Sequence, residues 1–140
     1  MLLASILIVI FLLISLLHLY WLFGGRAGIT AALPEREGHK AFTPPKFATF
    51  VVASALFGFA VLVAALAGWV TTPLSTRVMT WFGYGLSLIF FLRAVGDFNL
   101  MGFFKRIRGT RFSKFDTVLY SPLCLFLAIG VFIVTRSRNA

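Results

Sequence analysis

LLASILIVIFLLISLLHLYWLF, residues 2–23, decides the fold class, because no Asp, Glu, Lys or Arg interrupts it. At about 1.5 Å per residue, an α-helix of that length is roughly 33 Å long, enough to cross a hydrocarbon core of about 30 Å. Tyr20 and Trp21 near its end suit the aromatic belt at a membrane–water interface. A secretion signal would carry a basic start, a shorter apolar run of about 7–15 residues and a small-residue cleavage site. The stretch has none of these and reads as a retained helix.

Three further apolar segments follow, at about 47–70, 74–95 and 117–135. The expected fold is therefore all-α: an integral membrane four-helix bundle, with residues 1–140 as one membrane domain. Composition agrees, since 60% of the chain is hydrophobic, 12% is charged and the mean hydropathy is +0.98. Soluble domains run about 45–50% apolar and about 25% charged. A chain this short could not hide so much apolar surface from water.

The net charge of +9 would suit nucleic acid, but the basic residues lie between apolar runs, where membrane proteins concentrate them on the cytoplasmic side. No nucleic-acid partner is expected, because an RNA-binding module needs soluble surface. The one cysteine, Cys124, allows neither an intrachain disulfide nor a cysteine cluster for metal, and in the fourth segment it reads as packing.

The connections set the orientation. Residues 24–46 and 96–116 must share one side of a four-span bundle. They hold Arg26, Arg36, Lys40, Lys46, Lys105, Arg106, Arg108, Arg111 and Lys114, against Arg77, Arg136 and Arg138 on the other side. The positive-inside rule puts both connections in the cytoplasm and both termini outside, in a bacterial cytoplasmic (inner) membrane. Gly24, Gly25 and Gly28 permit a sharp turn in the first connection, and Pro34, Pro44 and Pro45 oppose a continuous helix.

In the second connection, NLMGFFKRIRG (99–109) spaces Leu100, Phe103, Phe104 and Ile107 like one helix face. A short amphipathic interfacial helix is predicted there. Lys105, Arg106, Arg108, Arg111 and Lys114 become candidates for contact with membrane lipid headgroups. Ala60, Ala64 and Gly68 recur every four residues, a stripe that suits a protein partner or a homo-oligomer. Asp116 is placed to cap the fourth helix, and Pro122 is expected to kink it.

Ionisable groups at membrane depth are costly, by roughly 2.5–3.5 kcal/mol each on insertion scales, so His18, Arg93 and Asp97 mark where chemistry could sit. Arg93 and Asp97 are four residues apart and would share a helix face. With Tyr20, Trp21, Arg26 and Asn99 they form the candidate polar cluster. A purely structural role is the competing reading, with Arg93 snorkelling to the interface and His18 bonding a neighbouring helix. No cofactor is identified. His39 sits in a Pro-flanked loop, so a matched pair of haem ligands is not supplied, and no metal ligand set converges in the sequence. GGRAG (24–28) lacks the phosphate-loop pattern.

Two segments carry a resemblance: HLYWLFGGRAGITAALPE (18–35) and RAVGDFNLMGFFKRIRGTRFSKFDTVLYSPLCL (93–125). Their patterns, His-x-Tyr-Trp-x-x-Gly-Gly ending in Leu-Pro, and Arg-x-x-Gly-Asp leading through a basic loop to Ser-Pro-Leu, resemble the bacterial family named domain of unknown function 3995. That resemblance implies a four-helix inner-membrane protein and brings no activity, substrate or cofactor. It points to His18, Trp21, Arg26, Arg93 and Asp97. Two functions stay open: an accessory subunit or binder of a lipid-like small molecule, and a membrane enzyme or proton-coupled carrier built on His18, Arg93 and Asp97.

Overall fold

A computed structural model describes residues 1–36, 39–40 and 43–139; the side chains of Arg36 and Lys40, counted above with the basic connections, lie outside what is described. The elements are α1 (Leu2–Leu22), α2 (Ile29–Ala32), β1 (Glu35–Arg36), β2 (His39–Lys40), α3 (Lys46–Leu66) and α4 (Thr76–Val95), then a last helical run. That run comprises α5 (Arg111–Phe115), a π turn (Asp116–Tyr120) and α6 (Ser121–Asn139). Four of these helices, the last counted as Arg111–Arg138, are long and apolar enough to cross a membrane. Among the described residues the strands amount to one two-residue antiparallel pair, Glu35 opposite Lys40 and Arg36 opposite His39.

Backbone chemistry ends each helix. After α1, Gly24 takes φ +96°, and the N–H groups of Gly24 and Gly25 return to the carbonyls of Trp21 and Tyr20 at 3.1 and 2.9 Å. After α3, Gly68 takes φ +79°, and Gly68 and Trp69 close back on Ala65 and Ala64 at 3.0 and 2.9 Å. Both are Schellman closures, which need a left-handed residue that glycine supplies without steric cost. The second helix expected at 47–70 therefore stops at Leu66. Gly68 lies beyond it, so the Ala60, Ala64, Gly68 stripe does not continue along one helix face; Ala60 is buried in the core and Gly68 is exposed.

Two helix pairs make the bundle, α1 along α3 and α4 along α6. Their shared core contains Leu7, Phe11, Leu56, Val63, Leu86, Leu127 and Val131. Phe11, Phe59 and Phe90, from α1, α3 and α4, meet with ring centres 5.5–6.2 Å apart. Glycine sets two close approaches: a Cβ on Gly130 would meet Leu7 Cδ2 at 2.8 Å, and one on Gly83 would overlap Thr135. The hydroxyls of Ser15 and Ser87 donate to the carbonyls of Ala53 and Ala128 on neighbouring helices, each at 2.8 Å. At the end away from the two long connections, the Arg138 guanidinium donates to the carbonyls of Ala65 and Leu66. It thereby satisfies carbonyls that the end of α3 leaves open.

The outward faces stay apolar: Trp81 is 72% exposed, Leu13 and Ile89 60%, and Val118 79%. Water would solvate such a surface poorly and hydrocarbon would solvate it well.

Two expectations for the second connection fail. Residues 99–109 form turns and bends, not an amphipathic helix. The last helix starts at Arg111, not at 117, and its cap is Thr110, whose Oγ1 accepts from the Ser113 N–H at 3.0 Å. Asp116 is thus inside a helical run and is not a cap. The π turn lies just ahead of Pro122, where the ring of an interior proline would otherwise press on the carbonyl one turn back.

Candidate functional site

The chemistry concentrates where the second connection folds across the ends of α4 and the last helix. Asp116 is fully buried there. Its Oδ1 accepts from Arg93 Nη2 at 2.8 Å, and its Oδ2 accepts from Lys105 Nζ at 2.8 Å and from the Gly102 N–H at 2.7 Å. Lys105 Nζ also donates to the Gly102 carbonyl at 3.1 Å and to Thr117 Oγ1 at 2.6 Å. Its three N–H bonds are therefore all placed. An unpaired charge at this depth would cost several kcal/mol, at least about 3, so the carboxylate and its two cations stand or fall together.

Glycine makes the geometry reachable. Gly96, at φ +92°, ends α4, and the chain returns so that Gly102, also at +92°, lies against it. A Cβ on Gly102 would overlap Gly96 Cα, and one on Gly96 would overlap the Met101 carbonyl. The Phe103 N–H then reaches back to the Ala94 carbonyl at 2.9 Å. These long-range partners take the backbone donors that a helix over 99–109 would have used locally.

Asp97 lies outside α4 and is exposed. Its Oδ1 accepts from the N–H groups of Asn99, Leu100 and Met101 at 3.0, 2.8 and 3.0 Å. Desolvation pushes its pKa up, but the backbone N–H groups of Met101, Asn99, Leu100 and Asp97 itself outweigh it, and the carboxyl sits below its ordinary value of 3.8. Arg93 pairs with Asp116, not with Asp97 as helical spacing suggested.

His18 belongs to a separate group. Its Nδ1 lies 2.8 Å from the Ile14 carbonyl, and its ring sits edge-on to Trp21 with centres 5.0 Å apart. Trp21 Nε1 donates to the Ala27 carbonyl at 2.8 Å, and the Ala27 N–H donates to the Tyr20 hydroxyl at 3.4 Å. Arg26 is exposed beside this turn, and Asn99 contributes its backbone to the other connection. Tyr120 joins the two connections: its hydroxyl donates to the Ala31 carbonyl at 3.2 Å, and its ring packs on Phe112 and Phe115.

The polar cluster expected from sequence is thus two clusters. One holds His18, Tyr20 and Trp21; the other holds Arg93 with Asp116, Lys105, Gly102 and Thr117, four residues that sequence reasoning did not connect with Arg93. A readable signal was there: Gly96 is a natural helix stop, which removes Asp97 from the helix face and leaves Asp116 as the next acid along the chain. Lys105, expected to face lipid headgroups, is 3% exposed because Asp116 takes it inward. Arg106, Arg108, Arg111 and Lys114 are exposed. Both carboxylate oxygens and the ammonium of this network are hydrogen-bonded. Among the described residues, no three His, Cys, Asp or Glu side chains converge as a metal site would need.

Four apolar helices closed at one end by a carboxylate-centred loop define a small helical protein of the multi-span class. The chain belongs to the family described as Protein of unknown function (DUF3995), which matches residues 11–131 and so takes in both segments that carried the resemblance. No curated protein and no solved structure matches it.

Proposed function

We propose that this protein is a non-catalytic, multi-pass component of a bacterial cytoplasmic membrane that binds a lipid-like small molecule between its helices. Both termini lie outside, and the connections 24–46 and 96–116 lie in the cytoplasm. The observation that carries the reading is a cleft of about 520 Å³ between α3 and α4. It is lined by Phe59, Leu62, Val78, Trp81, Phe82, Gly85, Leu86 and Ile89, none of them a hydrogen-bonding side chain except through the Trp81 indole. That volume lies within the roughly 300–1,000 Å³ of small-molecule sites, and such sites are mostly apolar. A wall of this kind, on a face that hydrocarbon would bathe, selects an acyl or isoprenoid chain over a polar substrate.

An enzyme or proton-coupled carrier would need His18, Arg93 and Asp97 to cooperate. The separate partners of these groups weigh against that reading.

The test uses the full chain in nanodiscs and a dansyl-labelled fatty acid as acceptor of indole fluorescence. Energy transfer is expected to saturate with probe, to fall in Trp81→Phe, and to vanish in Gly85→Phe. A Cβ at Gly85 meets nothing within 4 Å, so a side chain can be added there, and a phenylalanine ring on this lining position is expected to occupy the cleft. Transfer that rises linearly with probe and ignores Gly85→Phe would sink the binding reading. Membrane placement has its own check: the protein should stay with the pellet after carbonate washing.

A further inference from the structure

The Asp116 network has a second consequence, on the outside of the same loop. Between residues 98 and 115 it exposes four phenylalanines, Phe98, Phe103, Phe104 and Phe115, at 38–62%. The rings of Phe98 and Phe104 lie against each other with centres 6.3 Å apart. The same segment exposes Arg106, Arg108, Arg111 and Lys114. The two carboxylates that flank it offer these cations little: Asp116 is buried on Arg93 and Lys105, and the bonded oxygen of Asp97 is held by backbone N–H groups. Among the described residues, no ion pair engages any of the four.

We infer that this segment is a headgroup platform for anionic phospholipids of the leaflet it borders. Three observations converge on that partner. The platform joins the ends of two membrane-length helices, so it sits at headgroup depth. Among the described residues its cations have no carboxylate partner, and they would gain from phosphate. Its phenylalanines, costly in water, can enter the acyl boundary as the cations meet the phosphates above. The loop is also rigid by construction. Two carboxylates and two close-packed glycines fix its path, so the side chains are presented without first ordering a flexible segment.

The inference rests on the membrane placement proposed above, and the experiment separates the two. Purified full chain, once checked to pellet after carbonate washing, is exchanged into nanodiscs of mixed phosphatidylglycerol and phosphatidylcholine. The lipids kept after mild extraction are counted by native mass spectrometry. Wild-type protein is expected to keep phosphatidylglycerol in preference, and less so as salt is raised. Arg106→Gln, Arg108→Gln, Arg111→Gln and Lys114→Gln, singly and combined, should each reduce the preference by up to about fivefold per charge. Lys105 is left unchanged because it belongs to the buried network. The control, Arg77→Gln with Arg136→Gln at the far end of the bundle, should keep the preference. Equal retention of both lipids by wild type, or an undiminished preference in the combined variant, overturns the platform and leaves the membrane reading intact. Inorganic phosphate abolishing the preference at an ionic strength where chloride does not would overturn it too, by assigning the cations to a soluble anion.

Discussion

The two long connections lie at the same end of the bundle, yet they are built on different principles. In the first, the described bonds just after α1 are neutral and mostly local: Trp21 to the Ala27 carbonyl, Ala27 to the Tyr20 hydroxyl, and glycine closures, with Tyr120 reaching the Ala31 carbonyl from the other connection. The second, after α4, is held by charge. One buried carboxylate gathers a guanidinium, an ammonium and a backbone N–H from three places in the chain. The contrast teaches how irregular backbone is stabilised where no apolar core is at hand. A tight turn at a helix end is closed by its neighbours, whereas a loop that folds across two helices needs a hub with several acceptors, and a carboxylate can fill both of its oxygens.

Removing the hub should break the comparison most severely. Asp116→Ala strands two cations and is expected to cost about 3–5 kcal/mol, seen as early thermal unfolding in detergent. Loss of less than 1 kcal/mol would mean that the loop is not charge-held. The glycines come next, because Gly24 and Gly102 share nearly the same φ, +96° and +92°, in different surroundings. Gly24→Ala meets nothing within 4 Å and should cost about 1–2 kcal/mol, the intrinsic strain of that conformation. Gly102→Ala must also push backbone aside and should cost clearly more. Equal losses would show that the close approach of residues 96 and 102 is not tight.

Trp21→Phe should cost about 0.5–1.5 kcal/mol through its lost bond to the Ala27 carbonyl, and should leave the second connection unchanged in amide exchange. The smallest effect concerns Asp97. Its folded pKa is lowered, so the stability it contributes is complete above the ordinary value of 3.8 and is lost as pH falls through the folded value below that. Amide protection at Asn99, Leu100 and Met101 should therefore persist on acidification past 3.8 and then weaken, while the helices hold. Loss of protection already above that pH would contradict the bonding described.

The four long helices were legible because a long apolar run with few charges has one structural solution in hydrocarbon. Their ends were less so. Gly68 looked like part of a small-residue stripe, and only its positive φ reveals it as the stop of α3. The spacing of Leu100, Phe103, Phe104 and Ile107 is helical, but periodicity does not report where backbone donors go, and Asp116, Asp97 and Ala94 claim them first. The Arg93–Asp97 pairing failed for a related reason: the four-residue rule presumes a helix that Gly96 has already ended. Asp116 was noticed and given the wrong task, since its partners lie 11, 14 and 23 residues away and nothing in the local pattern marks such distances.

The π turn at Asp116–Tyr120 also divides labour within a single rod. An additional residue in a turn swings whatever follows by about 100° relative to an uninterrupted α-helix. At its start, Asp116 bonds to the loop; beyond it, Leu127, Val131 and Val134 pack in the bundle core. Shortening the rod by one codon within 117–119 would re-phase it, and one of the two addresses would have to be given up.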